Sequence, residues 1–296
     1  MKSLLRLLAC TLAFLLLLGG CAPHGCVRTD EADALAPEKD ALWVKLRAFR
    51  PEDSYLPDDA LTVVVIDVGQ GDSILLISPE GKTMLVDAGP ADAFEAVDGA
   101  LRANGVTSLD AVVETHPHED HIGSMPAVRD AYPIGAYYTA DNVHGGMTVP
   151  WADSCKITVL SPIPSYDEPE EINDRSVVLH VRYGDTAVLL TGDAEALAEG
   201  RMLDTYPQSM LKADVLKLGH HGSSTSSYYA FFLAVDPDYT VASCGKNNEY
   251  GHPHLETLSL LYETRTAFYR TDCDGSVTFR LNGETVSVAC SRKETP

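Results

Sequence analysis

Thr115-His116-Pro117-His118-Glu119-Asp120-His121 is the stretch on which the reading of this chain turns. It starts where an apolar run, Leu109 to Glu114, stops, so a strand is expected to deliver it to a loop. Loops at strand ends are where sites are usually built. Three imidazoles and a carboxylate lie within six residues, which offers at least four metal ligands from one short segment. The alternate spacing of His116 and His118 puts both on one side of an extended loop. Asp120 and His121 then address a second point. Taken alone, such a pattern carries a false-positive risk, and a solvated His-rich turn is the plain alternative.

Four other segments fit around it. Leu85-Val86-Asp87-Ala88-Gly89 and Leu190-Thr191-Gly192-Asp193 each put an acid at an expected strand end. Singly, an acid in that place is more often a helix cap or turn residue. Leu216-Lys217-Leu218-Gly219-His220-His221-Gly222-Ser223 brings two more imidazoles to a strand end, and Asn248-Glu249-Tyr250-Gly251-His252-Pro253-His254 carries another two in a polar loop. Seven of the ten histidines thus fall in three short segments. A shared site explains that clustering better than chance does.

Together these residues resemble a known family. Asp87, the H-x-H-x-D-H loop and Asp193 look like the metallo-β-lactamase superfamily. Asp67-Val68-Gly69-Gln70-Gly71-Asp72-Ser73, Thr191-Gly192-Asp193, His220-His221-Gly222-Ser223 and Tyr250-Gly251-His252-Pro253 resemble more closely the hydrolase domain of the ComEC/Rec2 competence proteins, from about Leu61 to Leu281. The resemblance implies an α+β/α/β fold, the metallo-β-lactamase-like αββα four-layer sandwich. It implies two divalent metal ions, with Zn²⁺ favoured and Mn²⁺ the alternative. On this reading His116 and His118 bind the first ion. Asp120, His121 and one of His220 and His221 bind the second, and Asp193 bridges both. Asp87 holds the His loop from behind, with Asp67, Asn173 and Ser176 placed around the ligands. Arg175, Ser223 and Lys217 are the candidate substrate contacts. Asp120 also orients a water-derived nucleophile, and His252 is either a proton donor or phosphate contact or a structural loop residue. One departure stands out. A third histidine for the first ion is expected just before Ser176, where this chain has Ile172-Asn173-Asp174-Arg175. A site poorer in nitrogen is friendlier to Mn²⁺.

Lys2 and Arg6, the apolar run Leu7 to Leu18, and Gly19-Gly20 form an export signal pattern. With Cys21 it resembles the bacterial lipoprotein signal, in which that cysteine carries lipid. A transmembrane anchor is the alternative, although the run is short for a span of about 20 residues. The expected organisation is a signal over 1–20, an acylated Cys21 with a flexible tether over 21–60, and a hydrolase domain over 61–296. The protein is then expected outside the cell, lipid-anchored on the outer face of the bacterial membrane and without a channel domain. No protein partner is indicated. Within the domain, strands are expected at 61–68, 73–77, 83–86, 109–114, 134–138, 177–181, 187–190, 215–218, 239–242 and 276–281. Helices are expected at 91–104, 122–132, 194–206, 227–235 and 255–264, with a short one at 41–49. Two sheets packed face to face with helices outside would accommodate this order.

The formal charge of −21 constrains the substrate. Removing residues 1–20 takes away Lys2 and Arg6 and no acid, leaving −23. Such a surface repels long duplex nucleic acid. Arg175, Lys212, Lys217 and Lys246 lie in or near the site segments and could guide one strand. The expected reaction is therefore phosphodiester hydrolysis of single-stranded DNA or oligonucleotides through a metal-activated hydroxide. Hydrolysis of another ester, lactone, thioester or β-lactam is the alternative. A surface lipoprotein that binds metal or ligand without turnover is a third reading. None of the seven cysteines sits in a CxxC, so thiolate-held zinc is not expected. Cys273 and Cys290 flank an expected hairpin at Asn282-Gly283 and form the best candidate disulfide, with reduced thiols an equal alternative.

Overall fold

A computed structural model describes residues 29–51, 59–166 and 171–292. The signal, Cys21 and Cys26 lie outside the described residues. Fourteen described strands make two seven-stranded sheets. The first contains β1 (Leu61–Val65), β2 (Ile74–Ile77), β3 (Thr83–Val86), β4 (Leu109–Val113), β5 (Ile134–Tyr138), β13 (Val277–Leu281) and β14 (Val286–Cys290), in the order β14-β13-β1-β2-β3-β4-β5. The second contains β6 (Thr148–Val149), β7 (Cys155–Ser161), β8 (Val178–Tyr183), β9 (Thr186–Leu190), β10 (Val215–Lys217), β11 (Tyr239–Ala242) and β12 (Ala267–Arg270), in the order β12-β11-β10-β9-β8-β7-β6.

The strand alternation separates three apolar layers. Val63, Val65, Met84, Val86, Ala111 and Val113 of the first sheet share one buried cluster with Ile157, Val159, Leu179, Val188, Leu190, Val215 and Val241 of the second. Their neighbours along the same strands, Val64, Leu75, Leu85 and Val112, turn outward to pack against Val97 and Leu101 of the helix Phe94–Ala103. Leu189, Leu216 and Ala242 do the same against Met202, Phe231, Phe232, Leu258 and Leu261. Strands covered on both faces read as continuous apolar runs because neither face meets water. Each fully buried large side chain contributes about 1.5–3 kcal/mol. The result is the expected αββα four-layer sandwich.

Two boundaries differ from the sequence reading. The stretch read as tether contains a helix, Thr29–Arg47, whose end packs on the domain. Trp43 and Leu46 are buried in the outer layer of the second sheet. Arg50 grips Asp274 with two nitrogens at 2.8 and 2.6 Å and lies over the rings of Trp43 and Tyr269. The packed domain therefore begins before Leu61. The helix expected over 122–132 is two pieces, Glu119–Ile122 and Met125–Ala131. Between them Gly123 lies against the Pro90–Ala91 backbone, where a Cβ would come 2.4 Å from the amide nitrogen of Ala91. No disulfide joins Cys273 to Cys290, and both are thiols.

Parallel pairing sets the site. β3, β4 and β5 run parallel in one sheet, and β9, β10, β11 and β12 in the other. Their carboxyl ends release the five loops singled out above, except that the His252 loop follows β11 at a distance of several residues. Ligand sites in open α/β sheets form at such ends.

Candidate metal centre

β3 ends in Asp87, which adopts φ 57, a conformation costly for a residue with a Cβ. That turn aims its carboxylate at the loop after β4. One oxygen accepts the Thr115 amide at 2.8 Å. The other accepts the Thr115 hydroxyl at 2.6 Å and faces His121 Nδ1 at 2.7 Å. Both ends of the His loop are thereby held by one buried acid. His121 consequently presents Nε2 to the cleft, 3.2 Å from Asp193 Oδ1.

Asp193 follows Gly192 at the end of β9. Gly192 has φ +52 and packs on Thr115, where a Cβ would approach the Thr115 Cβ to 2.9 Å. The Asp193 amide donates to Ser176 Oγ, and Ser176 Oγ also lies 3.4 Å from His116 Nδ1. His116 Nε2 faces His118 Nδ1 at 3.1 Å and Asp193 Oδ2 at 3.8 Å. After β10, a turn over Gly219–Gly222 sends His221 inward. Its Nδ1 donates to the Ser243 carbonyl at 2.9 Å, while Nε2 faces Asp120 Oδ2 at 3.1 Å and Asp193 Oδ2 at 3.5 Å. His221, not His220, is thus the member of the pair beside Asp120.

Two groups of ligand atoms result. Within each, the atoms lie within 4.8 Å of one another. The shallow cluster is His116, His118 and Asp193, with His118 half-buried. The deep cluster is His121, Asp193 and His221, all buried, with Asp72 behind and Asp120 at its mouth. Asp72 approaches the Nδ1 edge of His221, 3.4 Å away, opposite the edge that faces Asp120 and Asp193. Its approaching oxygen, Oδ1, is buried without a hydrogen-bond partner, and Asp72 lies close enough to His121, Asp193 and His221 to count among the candidate ligands of the deep cluster.

The electrostatics fit cations. Burial opposes a charge on His121, yet Asp193 and Asp87 outweigh it and lift its pKa to about 10. Asp193 is held well below its ordinary value, against burial, by His121 and His221. Burial and His121 push His116 down to about 3. His121 Nε2 and Asp193 Oδ1 are buried without a hydrogen-bond partner. Buried polar atoms normally have partners, and a cation between these facing lone pairs would supply one. The residues present therefore fit a pair of divalent ions, as the fold implies.

The remaining candidates divide. Asn173 Nδ2 lies 3.1 Å from Glu195 Oε1 and 3.4 Å from His220 Nδ1, at the rim. Arg175, in the same short turn, lines a cavity of about 320 Å³ with Tyr166 and Arg201. His252 packs beside His220 and His221, with ring centroids at 5.2 and 6.0 Å. Burial and His221 push its pKa down to about 2, so it is neutral at pH 7. Three residues lie elsewhere than expected. Lys217 is fully buried, with Nζ on Asp72 at 2.9 Å and on the Leu218 carbonyl, so it cannot touch substrate. Ser223 is buried and bonded to Thr225. Asp67 pairs with Arg292 and accepts no bond from any ligand residue. Lys246 lines a separate hollow with Asp67 and Arg292. Asp72 and Glu195 were not singled out as site residues. Asp72 stood inside the quoted Asp67–Ser73 motif, which was the available signal. Glu195 had none, because its meaning comes from His220.

Residues 66–153 match the family model described as the metallo-beta-lactamase superfamily. The chain is 33% identical to competence protein ComA of Neisseria gonorrhoeae over 256 residues, which covers 83% of this chain and 36% of that protein. It is 30% identical to ComE operon protein 3 of Bacillus subtilis (strain 168) over 258 residues, covering 74% of this chain and 33% of that protein. The chain therefore spans about a third of the length of these curated relatives. Among solved structures, the metallo-beta-lactamase fold protein YhfI from Bacillus subtilis aligns with a TM-score of 0.46 at 15% identity, covering 71% of this chain and 95% of that one.

Proposed function

The chain carries a metallo-β-lactamase hydrolase domain homologous to these competence proteins, and from that premise we propose that it is a phosphodiesterase acting on single-stranded DNA or short oligonucleotides. The observation that carries the proposal is the pair of ligand clusters sharing the carboxylate of Asp193. Two-cation sites of this kind suit in-line displacement at phosphorus. Divalent cations held there supply Lewis acidity and a water-derived nucleophile at neutral pH. The protein's own part is placement. Asp87 fixes the His121 tautomer, Ser243 fixes that of His221, and Asp120 at the mouth of the deep cluster orients the attacking water. Neutral His252 offers a hydrogen bond to the leaving group rather than acting as a cationic acid.

The ion pair is Zn²⁺ in this reading, with Mn²⁺ the competitor because the shallow cluster holds two imidazoles rather than three. The acidic surface favours one flexible strand over duplex. The protein is exported and held by lipid on Cys21 at the outer membrane face; mass spectrometry of the purified N-terminal peptide should find a diacylglyceryl adduct, and an unmodified cysteine there would remove this element.

The test uses the full chain loaded with Zn²⁺ or Mn²⁺. Bis-p-nitrophenyl phosphate and a labelled single strand should be hydrolysed, with activity lost in chelator and in Asp120→Ala. Turnover of nitrocefin, a lactone or a thioester with no phosphodiester cleavage would replace this reading by the ester or amide alternative. Metal binding without any turnover would favour a binding protein.

A further inference from the structure

The turn Gly69-Gln70-Gly71, between β1 and β2 of the first sheet, reaches across to the loop that carries His252. We propose that Gln70 is a positioning residue that fixes His252 with its proton on Nε2, as a hydrogen-bond donor from that edge of the ring. The inference deepens the phosphodiesterase reading above, since it rests on the role given there to His252 at the leaving group. The place of the proton on the ring is nevertheless readable with no substrate present.

The backbone puts Gln70 there. Gly69 has φ +77 and Gly71 φ +141, conformations that glycine adopts without steric cost. A Cβ on Gly71 would strike the Asp120 carbonyl oxygen, and the Asp72 amide donates to that same oxygen at 3.1 Å. The turn is thus seated on the His loop. Toward the second sheet, a Cβ on Gly245 would come 2.8 Å from the Gln70 amide nitrogen. Two close backbone approaches fix where the Gln70 side chain starts.

The orientation of the side-chain amide carries the argument. Gln70 Oε1 accepts the Gly245 amide at 3.1 Å, so the group it turns to His252 is its NH2. That nitrogen lies 3.5 Å from His252 Nδ1. A carboxamide NH2 only donates. Nδ1 is therefore the bare nitrogen, because an N–H there would face another N–H. A neutral imidazole carries one ring proton, and it falls to Nε2. The same contact opposes the imidazolium, in which both nitrogens donate.

The ring is held in place for this contact. Asn248 Oδ1 accepts the His252 amide at 2.8 Å, and Asn248 Nδ2 donates to the His252 carbonyl at 2.7 Å. Lys39 of the helix Thr29–Arg47 donates to the Gly251 carbonyl at 2.5 Å. Tyr250 stacks on the imidazole, with centroids 5.6 Å apart and planes 19° from parallel. A ring packed this way keeps its Nδ1 edge toward Gln70.

The test reads the ring first and the reaction second. In the full chain loaded with Zn²⁺, nitrogen NMR resolves the protonated and bare nitrogens of an imidazole, and His252→Ala identifies the His252 signals. The wild type should show Nδ1 bare and Nε2 protonated. Gln70→Glu keeps the side-chain shape and an acceptor for Gly245 but turns a second acceptor to the ring, so Nδ1 should gain a proton. Gln70→Leu, with neither donor nor acceptor, should give a mixture of the two tautomers. In turnover, Gln70→Glu should lower kcat/KM for a dinucleotide, whose alkoxide leaving group needs the hydrogen bond, at least about tenfold more than for bis-p-nitrophenyl phosphate, whose phenolate does not. That excess should vanish in a His252→Ala background. A wild-type ring protonated on Nδ1, or one indifferent to Gln70→Glu, would overturn the proposal. So would equal losses on both substrates, by making the turn rather than the proton the cause. Absence of phosphodiester turnover in a wild type that shows the expected tautomer would sink only the substrate reading.

Discussion

The two halves of the metal centre are built differently. In the deep cluster every ligand is buried, and each imidazole is braced from its far edge, His121 by Asp87 and His221 by the Ser243 carbonyl. Behind Asp72 stands Lys217, a cation sealed away from water. In the shallow cluster His118 is half-buried with its Nδ1 facing His116 Nε2 at 3.1 Å, and His116 leans on hydroxyls, Thr115 at 3.1 Å and Ser176 at 3.4 Å. Carboxylates and carbonyls fix a tautomer firmly, whereas hydroxyls rotate to suit. The deep half is prepared before any ion arrives; the shallow half adapts when one does. The physical lesson is that one bridging acid can serve sites of unequal stiffness.

The largest expected effect removes the element common to both halves. Asp193→Asn should cut hydrolysis by about 10³-fold or more, since several kcal/mol of charge stabilisation is at stake, and bound metal should fall for both equivalents. Retention of two tightly bound ions would break the idea of a shared carboxylate. Next, Lys217→Met leaves Asp72 as an uncompensated buried carboxylate. Burial alone would raise the Asp72 pKa, and Lys217 together with His221 reverses this and holds it below its ordinary value. Breaking such a pair costs about 3–5 kcal/mol, to be read by denaturant unfolding, and adding Asp72→Asn should return part of it. If Lys217→Met melts like the wild type, the deep half is less tightly stapled than described here.

A pH effect of a few kcal/mol belongs to the support beneath the His220–His221 loop. Glu199 is fully buried and accepts the Ser227 and Tyr228 amides at 2.7 Å each. Burial lifts its pKa from 4.5 to about 8, with Asp174 and Glu195 adding to the rise. The folded chain therefore binds more protons than the unfolded chain between those values. The contribution to stability is complete below 4.5 and is lost as pH rises through 8. Unfolding curves from pH 5 to 9 should show this decline, and Glu199→Gln should flatten it. A smaller pair of changes sharpens the contrast directly. Asp87→Asn should weaken the deep ion by about 10–100-fold, whereas Ser176→Ala should weaken the shallow one by less than about tenfold, both read by metal titration. Equal effects would erase the distinction between braced and adaptable halves.

Much of this was legible along the chain. β1 to β3 and β9 were readable because they are buried, largely apolar runs. β7 was not, because Lys156 and Thr158 interrupt Cys155–Ser161. β12 hides behind Arg270, whose charge is absorbed by Asp272 at 2.6 and 2.7 Å. The H-x-H-x-D-H loop announced itself because its ligands are neighbours in sequence. Lys217 was misread as a substrate guide because its partner Asp72 lies far earlier in the chain, and nothing local distinguishes a buried lysine from an exposed one. The helix ending at Arg47 looked like tether since its acidic, proline-containing start outweighs the two residues, Trp43 and Leu46, that bury.

The sequence by itself determined which chemistry was available: imidazoles and carboxylates placed at the ends of apolar strands, in an order that matches one superfamily. It did so because ligand spacing within a loop and strand alternation are local properties. Only the tertiary structure decided that His221 faces Asp120, that His220 turns to Glu195, and that Lys217 is walled in against Asp72. Those outcomes depend on how two sheets bring strand ends together, and the sign of a buried charge's contribution is set by whichever group the fold places opposite it.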